Sequence, residues 1–292
     1  MREKESLFFE REGEPIKIER ITPRDIKPRL PAPNETVMVL QRNAKDMREP
    51  GDDFGALEKE AIEATRTEAM RFFDTLFSEL PEDEREKVDV MIVASDATLL
   101  MPDGQLCEHR RAVETAEIII QALKVSMGKF DIPKDQFLNN TISDGEPIAV
   151  SELRDLLMFE ESPEFVKYMT EKHGTGKAFW VAYETDAERE KRIEMGVEGP
   201  KEIADRVNYA LTVRARIAAE HHKANPDRRL VMWNVSHYDA ISPFIKEYIA
   251  GVDVTSYLPV DHSGGITLQV DAKGQPHTTI QNQEVTFKNK TL

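Results

Sequence analysis

Val37-Met38-Val39-Leu40-Gln41-Arg42-Asn43-Ala44-Lys45-Asp46 is the stretch on which the fold turns. Four consecutive apolar residues, Val37 to Leu40, have the length and type of a strand buried on both faces, and they stop at Gln41-Arg42-Asn43. In an open α/β sheet, ligands bind in the crevice beyond the carboxyl ends of the strands. A strand ending in arginine therefore places an anion receptor there, or else a charge paired to a local carboxylate.

Downstream, apolar positions recur at helical spacing from Leu57 to Leu80, where Pro81 ends the run. Val88 to Ala94 reads as a second buried strand ending at Ser95-Asp96, and Ala112 to Leu123 as a second helix. Pro200 suits the first turn of a long helix running toward Asn225-Pro226. Leu230 to Val235 is a third buried strand, ending at Ser236-His237 and followed by a helix over Ala240 to Ile249. Ile266, Leu268 and Val270 alternate into an Asp271-Ala272-Lys273-Gly274 turn, with Thr278 and Ile280 returning as a hairpin. This alternation predicts a three-layer α/β/α sandwich with a mostly parallel sheet. Residues 1–34, with five prolines, read as an arm lying on a single domain of residues 35–292. Residues 126–200, between two core units, read as a cap over the pocket.

The 292 residues carry a formal charge of −15, which argues against a nucleic-acid or anionic-membrane partner for the chain as a whole. Local charge can differ, because screening cuts off exposed charges beyond roughly 8 Å. A few convergent arginines can dominate a pocket within an acidic surface. No apolar run approaches the ~20 residues of a membrane span, and Phe8-Phe9 is too short a core for a signal peptide. The single cysteine, Cys107, excludes an intrachain disulfide and suits a cytoplasmic location. His109, His173, His262 and His277 lack metal-ligand spacing, and no cofactor motif is present. His221-His222 read as the solvated end of a helix, and Trp233 as core.

Three buried strands thus end in polar residues: Arg42-Asn43, Ser95-Asp96 and Ser236-His237. Strands joined by helices run parallel, so these ends lie along one edge, with Arg111 opening the helix after the second strand. Guanidiniums, a histidine and helix N-termini would converge into an anion site suited to phosphoryl transfer.

These residues resemble the histidine phosphatase superfamily, the phosphoglycerate mutase-like fold. That family has a strand ending in Arg-His-Gly, an Arg-Ala-x-x-Thr-Ala helix start and a later strand ending in Ser-His. Here the three are Arg42-Asn43-Ala44, Arg111-Ala112-Val113-Glu114-Thr115-Ala116 and Ser236-His237, in the same order, over about residues 36–280. The resemblance implies a histidine that attacks phosphorus, a carboxyl acid that protonates the leaving oxygen, and water that cleaves the phosphohistidine. By that likeness Arg42, Arg111 and His237 would hold the phosphoryl oxygens, with Arg48 and Ser236 also on the substrate. Asp155, in Leu153-Arg154-Asp155, would be the acid, with Glu152 and Asp239 as rivals.

The chain departs from the pattern at the nucleophile, where Asn43 stands in place of histidine. A carboxamide has no basic nitrogen lone pair with which to form a phosphoenzyme. Ala44 also replaces the motif glycine, and Arg48-Glu49-Pro50 is a shifted form of the Arg-x-Pro of acid-phosphatase relatives. The expectation is a phosphomonoesterase scaffold for a small phosphorylated molecule, inactive or substrate-trapping in this form. The alternative is a natural pseudophosphatase acting as a non-catalytic phospholigand-binding or interaction protein.

Overall fold

A computed structural model describes residues 18–48, 54–98, 107–249, 252, 256–271, 274–281 and 283–288. Seven strands form one sheet: β1 (Thr36–Arg42), β2 (Val88–Ser95), β3 (Ile148–Val150), β4 (Arg229–Ser236), β5 (Gly265–Val270), β6 (Pro276–Ile280) and β7 (Gln283–Thr286). Their order is β3-β2-β4-β1-β5-β6-β7. The first four in that order are parallel, joined through helical crossovers, while β5, β6 and β7 add antiparallel neighbours. The mostly parallel sandwich expected from the sequence is present, with its hairpin extended by β7.

The helices are α1 (Lys59–Ser78), α2 (Glu82–Arg85), α3 (Arg111–Lys129), α4 (Asn139–Ile142) and α5 (Met158–Glu161). They continue with α6 (Pro163–His173), α7 (Lys177–Glu184), α8 (Arg189–Glu194), α9 (Pro200–Ala224) and α10 (Tyr238–Tyr248). Side chains alternate across a strand, so one apolar run feeds two cores. Val37 and Val39 join Val231, Trp233 and Ile92 in a core with α1 and α3. Met38 and Leu40 join Met91 and Met232 in the core with α9 and α10. Trp233 is the centre of the first core, with Phe72 and Phe73 at ring distances of 4.9 and 5.4 Å. Its indole N–H donates to Gln41 Oε1 at 2.7 Å, which removes the penalty of burying that donor.

Register brings the functional strand ends level. Arg42 pairs with Ser236 across β1 and β4, Ala94 with Val235 across β2 and β4, and Ser95 with Val150 across β2 and β3. At Gly265, where β5 crosses the end of β1, a Cβ would lie 2.2 Å from the Leu40 carbonyl oxygen. Any side chain there would force β5 away from the strand that delivers Arg42.

Two expectations are revised. The segment 126–200 is not one cap: it begins with the end of α3 and contains β3, an edge strand of the sheet, and among its helices α5 and α7 reach the cavity, through Phe159 and Trp180. Helices α6 and α7 bury Phe165, Met169, Phe179 and Tyr183 in the α9 and α10 core, and a buried ion pair, Glu184 to Lys246 at 3.2 Å, ties α7 to α10. Within the arm, residues 1–17 lie outside the described residues, and Ile21 bridges Val260. His221 and His222 are not solvated, because the last turn of α9 lies over the start of the sheet. His222 Nε2 is 2.9 Å from Thr36 Oγ1, and His221 Nε2 is 2.9 Å from Asp89. Among the described residues no helix is long and apolar enough to cross a membrane.

Candidate functional site

Beyond the carboxyl ends of β1, β2 and β4 lies a cavity of about 620 Å³. Arg42 and Asn43 enter it from the end of β1, His237 from the junction of β4 and α10, and Arg111 from the first position of α3. Asp155 follows the tight turn at Ser151–Leu153, and Arg48 reaches in from the loop after β1. The structure therefore brings together Arg42, Asn43, Arg48, Arg111, Asp155 and His237, together with Asp239.

Ser236 and Glu152 do not line the cavity. The fully buried Ser236 hydroxyl donates to the Leu153 carbonyl at 2.8 Å, so it holds the turn that presents Asp155 instead of facing a substrate. This corrects the expected substrate contact: alternation along β4 turns Ser236 inward while His237 enters the cavity. Glu152 contributes its backbone carbonyl to Arg206 at 3.2 Å. Glu49 and Pro50 lie outside the described residues.

Asn43 is 2% exposed and is held by backbone bonds on both sides, its N–H donating to Ser236 O at 2.8 Å and its carbonyl accepting from Ser263 N at 3.2 Å. Its side-chain Nδ2 donates to the Ala44 carbonyl at 2.7 Å. An imidazole at this position could make the same bond through Nδ1–H, leaving Nε2 directed outward. The amide keeps the donor edge of a histidine and lacks the nucleophilic one.

The arginines differ in how they are held. Arg42 donates from Nη1 to the Val260 carbonyl at 2.6 Å and from Nη2 to His262 Nε2 at 2.8 Å, and it lies 5.4 Å from the Tyr238 ring centre. Its Nε–H is sealed from solvent and has no partner among the described residues. Burial lowers the Arg42 pKa to about 10, so the guanidinium stays charged at neutral pH. Arg111 donates to Asp155 Oδ2 at 3.0 Å and lies 3.7 Å from Asp46. Arg48 pairs with the same Asp46 at 2.6 Å.

The hydrogen-bond pattern fixes the histidine tautomers. Arg42 has only donors, so His262 Nε2 must accept, which places the His262 proton on Nδ1. Ser95 Oγ accepts from Ala97 N–H at 3.1 Å and lies 2.9 Å from His237 Nε2. The described residues offer this fully buried hydroxyl no other acceptor, so it donates to Nε2 and His237 carries its proton on Nδ1. That Nδ1–H is buried, has no partner among the described residues and lies 3.9 Å from Asp155 Oδ2. Burial, then the charge of Arg111, lowers the His237 pKa to about 3; burial and Arg42 do the same for His262. Both imidazoles are neutral, and the unprotonated nitrogen of each is already occupied.

Asp155 and Asp239 form a carboxyl pair under the arginines. Burial pushes both upward; the charge of Asp155 adds to the shift at Asp239, whereas Arg111 opposes it at Asp155. Asp239 Oδ2 accepts from Leu156 N–H at 3.0 Å. The pair retains a proton more readily than an isolated carboxyl.

Sequence reasoning missed Arg206, His262 and the aromatic wall. Arg206 donates to the carbonyls of Glu152, Arg154 and Asp155, at 3.2, 2.9 and 3.2 Å, and pairs with Glu198 through both carboxylate oxygens at 3.0 Å. It sits mid-helix on α9, where nothing local distinguishes it from a surface arginine. His262 did have a signal: it precedes Gly264-Gly265, the close approach of β5 to β1. Phe159 and Trp180 reach the cavity from α5 and α7.

No family model and no curated protein matches the chain. Among solved structures, one described as mycobacterial hydrolase 1 is 12% identical, covers 88% of this chain and 99% of its own, and has a TM-score of 0.42. A phosphoserine phosphatase variant from Entamoeba histolytica, in complex with phosphoserine, is 12% identical over 87% and 95% of the two chains, with a TM-score of 0.37. A mycobacterial glucosyl-3-phosphoglycerate phosphatase with inorganic phosphate is 13% identical over 86% and 94%, with a TM-score of 0.35. Fold and site together define an α/β sandwich with an arginine-lined cavity at the carboxyl ends of its parallel strands.

Proposed function

We propose that this cavity binds the phosphoryl group of a small phosphomonoester, on a scaffold resembling the histidine phosphatases, and that the chain does not form a phosphoenzyme. The observation that carries the reading is a pair of orphan donors. Arg42 Nε–H and His237 Nδ1–H are both sealed from solvent and without a partner among the described residues, on side chains that line a cavity shared with Arg48 and Arg111. A buried donor without a partner costs about 1–3 kcal/mol, a cost that an accepting oxyanion oxygen would offset.

Covalent transfer requires a nitrogen lone pair to attack phosphorus while the bond to the leaving oxygen breaks and a carboxyl supplies its proton. The Asp155 and Asp239 pair could supply the proton. Asn43 cannot supply the lone pair, and those of His237 and His262 are engaged by Ser95 and Arg42. Phosphoryl binding without covalent turnover is therefore the function that the residues support. A natural pseudophosphatase and an inactivated enzyme share this chemistry.

Calorimetric titration with inorganic phosphate tests the reading. Binding is expected in the wild-type chain, with Arg42→Lys weakened about 10- to 100-fold, because the charge is kept while the Nε–H donor is lost. Absence of binding in the folded wild type would overturn it.

A further inference from the structure

An oxyanion fills a small part of a 620 Å³ cavity, which lies in the range that holds a drug-sized organic molecule. The remaining wall has a specific composition. Phe159 and Trp180 come from α5 and α7, and Tyr238 from the first turn of α10. Phe159 and Trp180 have ring centres 6.0 Å apart, and Trp180 meets Tyr238 edge to face at 5.4 Å. Phe159 is 40% exposed and lines the cavity, so its ring is open to a bound molecule.

Tyr238 joins the two halves of the cavity. Its ring lies under the Arg42 guanidinium, while the residue is 8% exposed and its hydroxyl is sealed from solvent with no partner among the described residues. A buried phenol without a hydrogen bond carries a desolvation cost that a polar edge on a bound molecule would remove. Apolar rings offering a face and an edge, next to one unsatisfied hydroxyl, are complementary to a flat ring with a polar substituent. A flexible polyol would leave Phe159 and Trp180 facing its hydroxyls.

Resting on the phosphoryl-site reading above, we infer that the organic part of the ligand is a planar aromatic ring, seated against Phe159 and Trp180 and hydrogen-bonded to Tyr238, so that the chain selects aromatic over aliphatic phosphomonoesters. Aryl phosphates and nucleoside monophosphates share this chemistry and differ in ring size and in the sugar between ring and phosphate.

The test titrates inorganic phosphate, glycerol phosphate, phenyl phosphate and adenosine monophosphate into the wild type, Trp180→Ala and Phe159→Ala. Phenyl phosphate or the nucleotide is expected to bind about tenfold tighter than glycerol phosphate, the size of one good ring contact. Which of the two binds tighter identifies the ring source. Both variants should lose most of that preference while keeping the affinity for inorganic phosphate, which also reports that they are folded. Phe159, being exposed, can be removed without opening the core. Equal affinity for aromatic and aliphatic esters in a wild type that binds phosphate would overturn the aromatic subsite alone. A preference that survives both substitutions would overturn it as well. Failure to bind phosphate at all would instead remove the anion site beneath it.

Discussion

Replacing His237 by glutamine should make the protein less sensitive to mild acid. His237 is 2% exposed, and its pKa falls from the ordinary 6.5 to about 3 because burial and then Arg111 oppose its charged form. Between those values the unfolded chain binds a proton that the folded chain refuses. The stability contributed by the neutral ring is therefore complete above about pH 6.5 and is lost as pH falls toward 3. Integrating over that window, the wild type loses about 2 kcal/mol from this one group between pH 7 and pH 5. Asp155 and Asp239, raised in the folded state, act in the opposite direction, and they are present in both proteins. The introduced carboxamide can still accept the Ser95 hydroxyl bond, so the difference between the two proteins isolates the ring. Urea unfolding at pH 7, 6 and 5 measures it: the gap between wild type and His237→Gln should shift by about 2 kcal/mol in favour of the variant. A gap that stays flat, or one that moves toward the wild type, would refute the neutral buried imidazole and with it the assignment of Nδ1–H as the phosphoryl donor.

Two further outcomes concern how α7 and the turn that carries Asp155 are held. Lys246→Met leaves Glu184 buried without its partner and should destabilise the fold by about 3–5 kcal/mol in urea titration, whereas pairing it with Glu184→Leu should recover most of that loss. Arg206→Met removes the donors to the carbonyls of residues 152, 154 and 155 and should cost about 2–4 kcal/mol by the same measurement, since hydrogen bonds from a charged donor are the stronger kind.

The parts of the fold that were legible in the sequence are those where one physical rule dominates. Val37 to Leu40, Val88 to Ala94 and Leu230 to Val235 are predominantly apolar runs because helices cover both faces of the sheet, and each run stops one or two residues before its strand does. Arg42, Asn43, Arg111 and His237 could be placed at one edge because strands joined by helical crossovers must run parallel. Ile148 to Val150 was missed because a three-residue edge strand, only partly buried, carries too little pattern. Which of Glu152, Asp155 and Asp239 reach the cavity became legible only in the fold, where a tight turn and a helix start bring in Asp155 and Asp239 and leave Glu152 out. Ser236 was misread for a similar reason: adjacent residues face opposite ways at a strand end, and composition does not say which one enters the cavity. Phe159, Trp180 and His262 come from short cap helices and a loop, whose positions depend on packing against distant elements.

Asn43 bears the heaviest weight, because it separates binding from transfer. The most direct measurement is hydrolysis of 4-nitrophenyl phosphate by the wild type and by Asn43→His. The Ala44 carbonyl stands ready to orient an introduced imidazole, so the variant should turn over at least about a thousandfold faster than the wild type, which should not exceed background. Robust turnover with Asn43 in place, or no gain in a variant that still binds phosphate, would contradict the account.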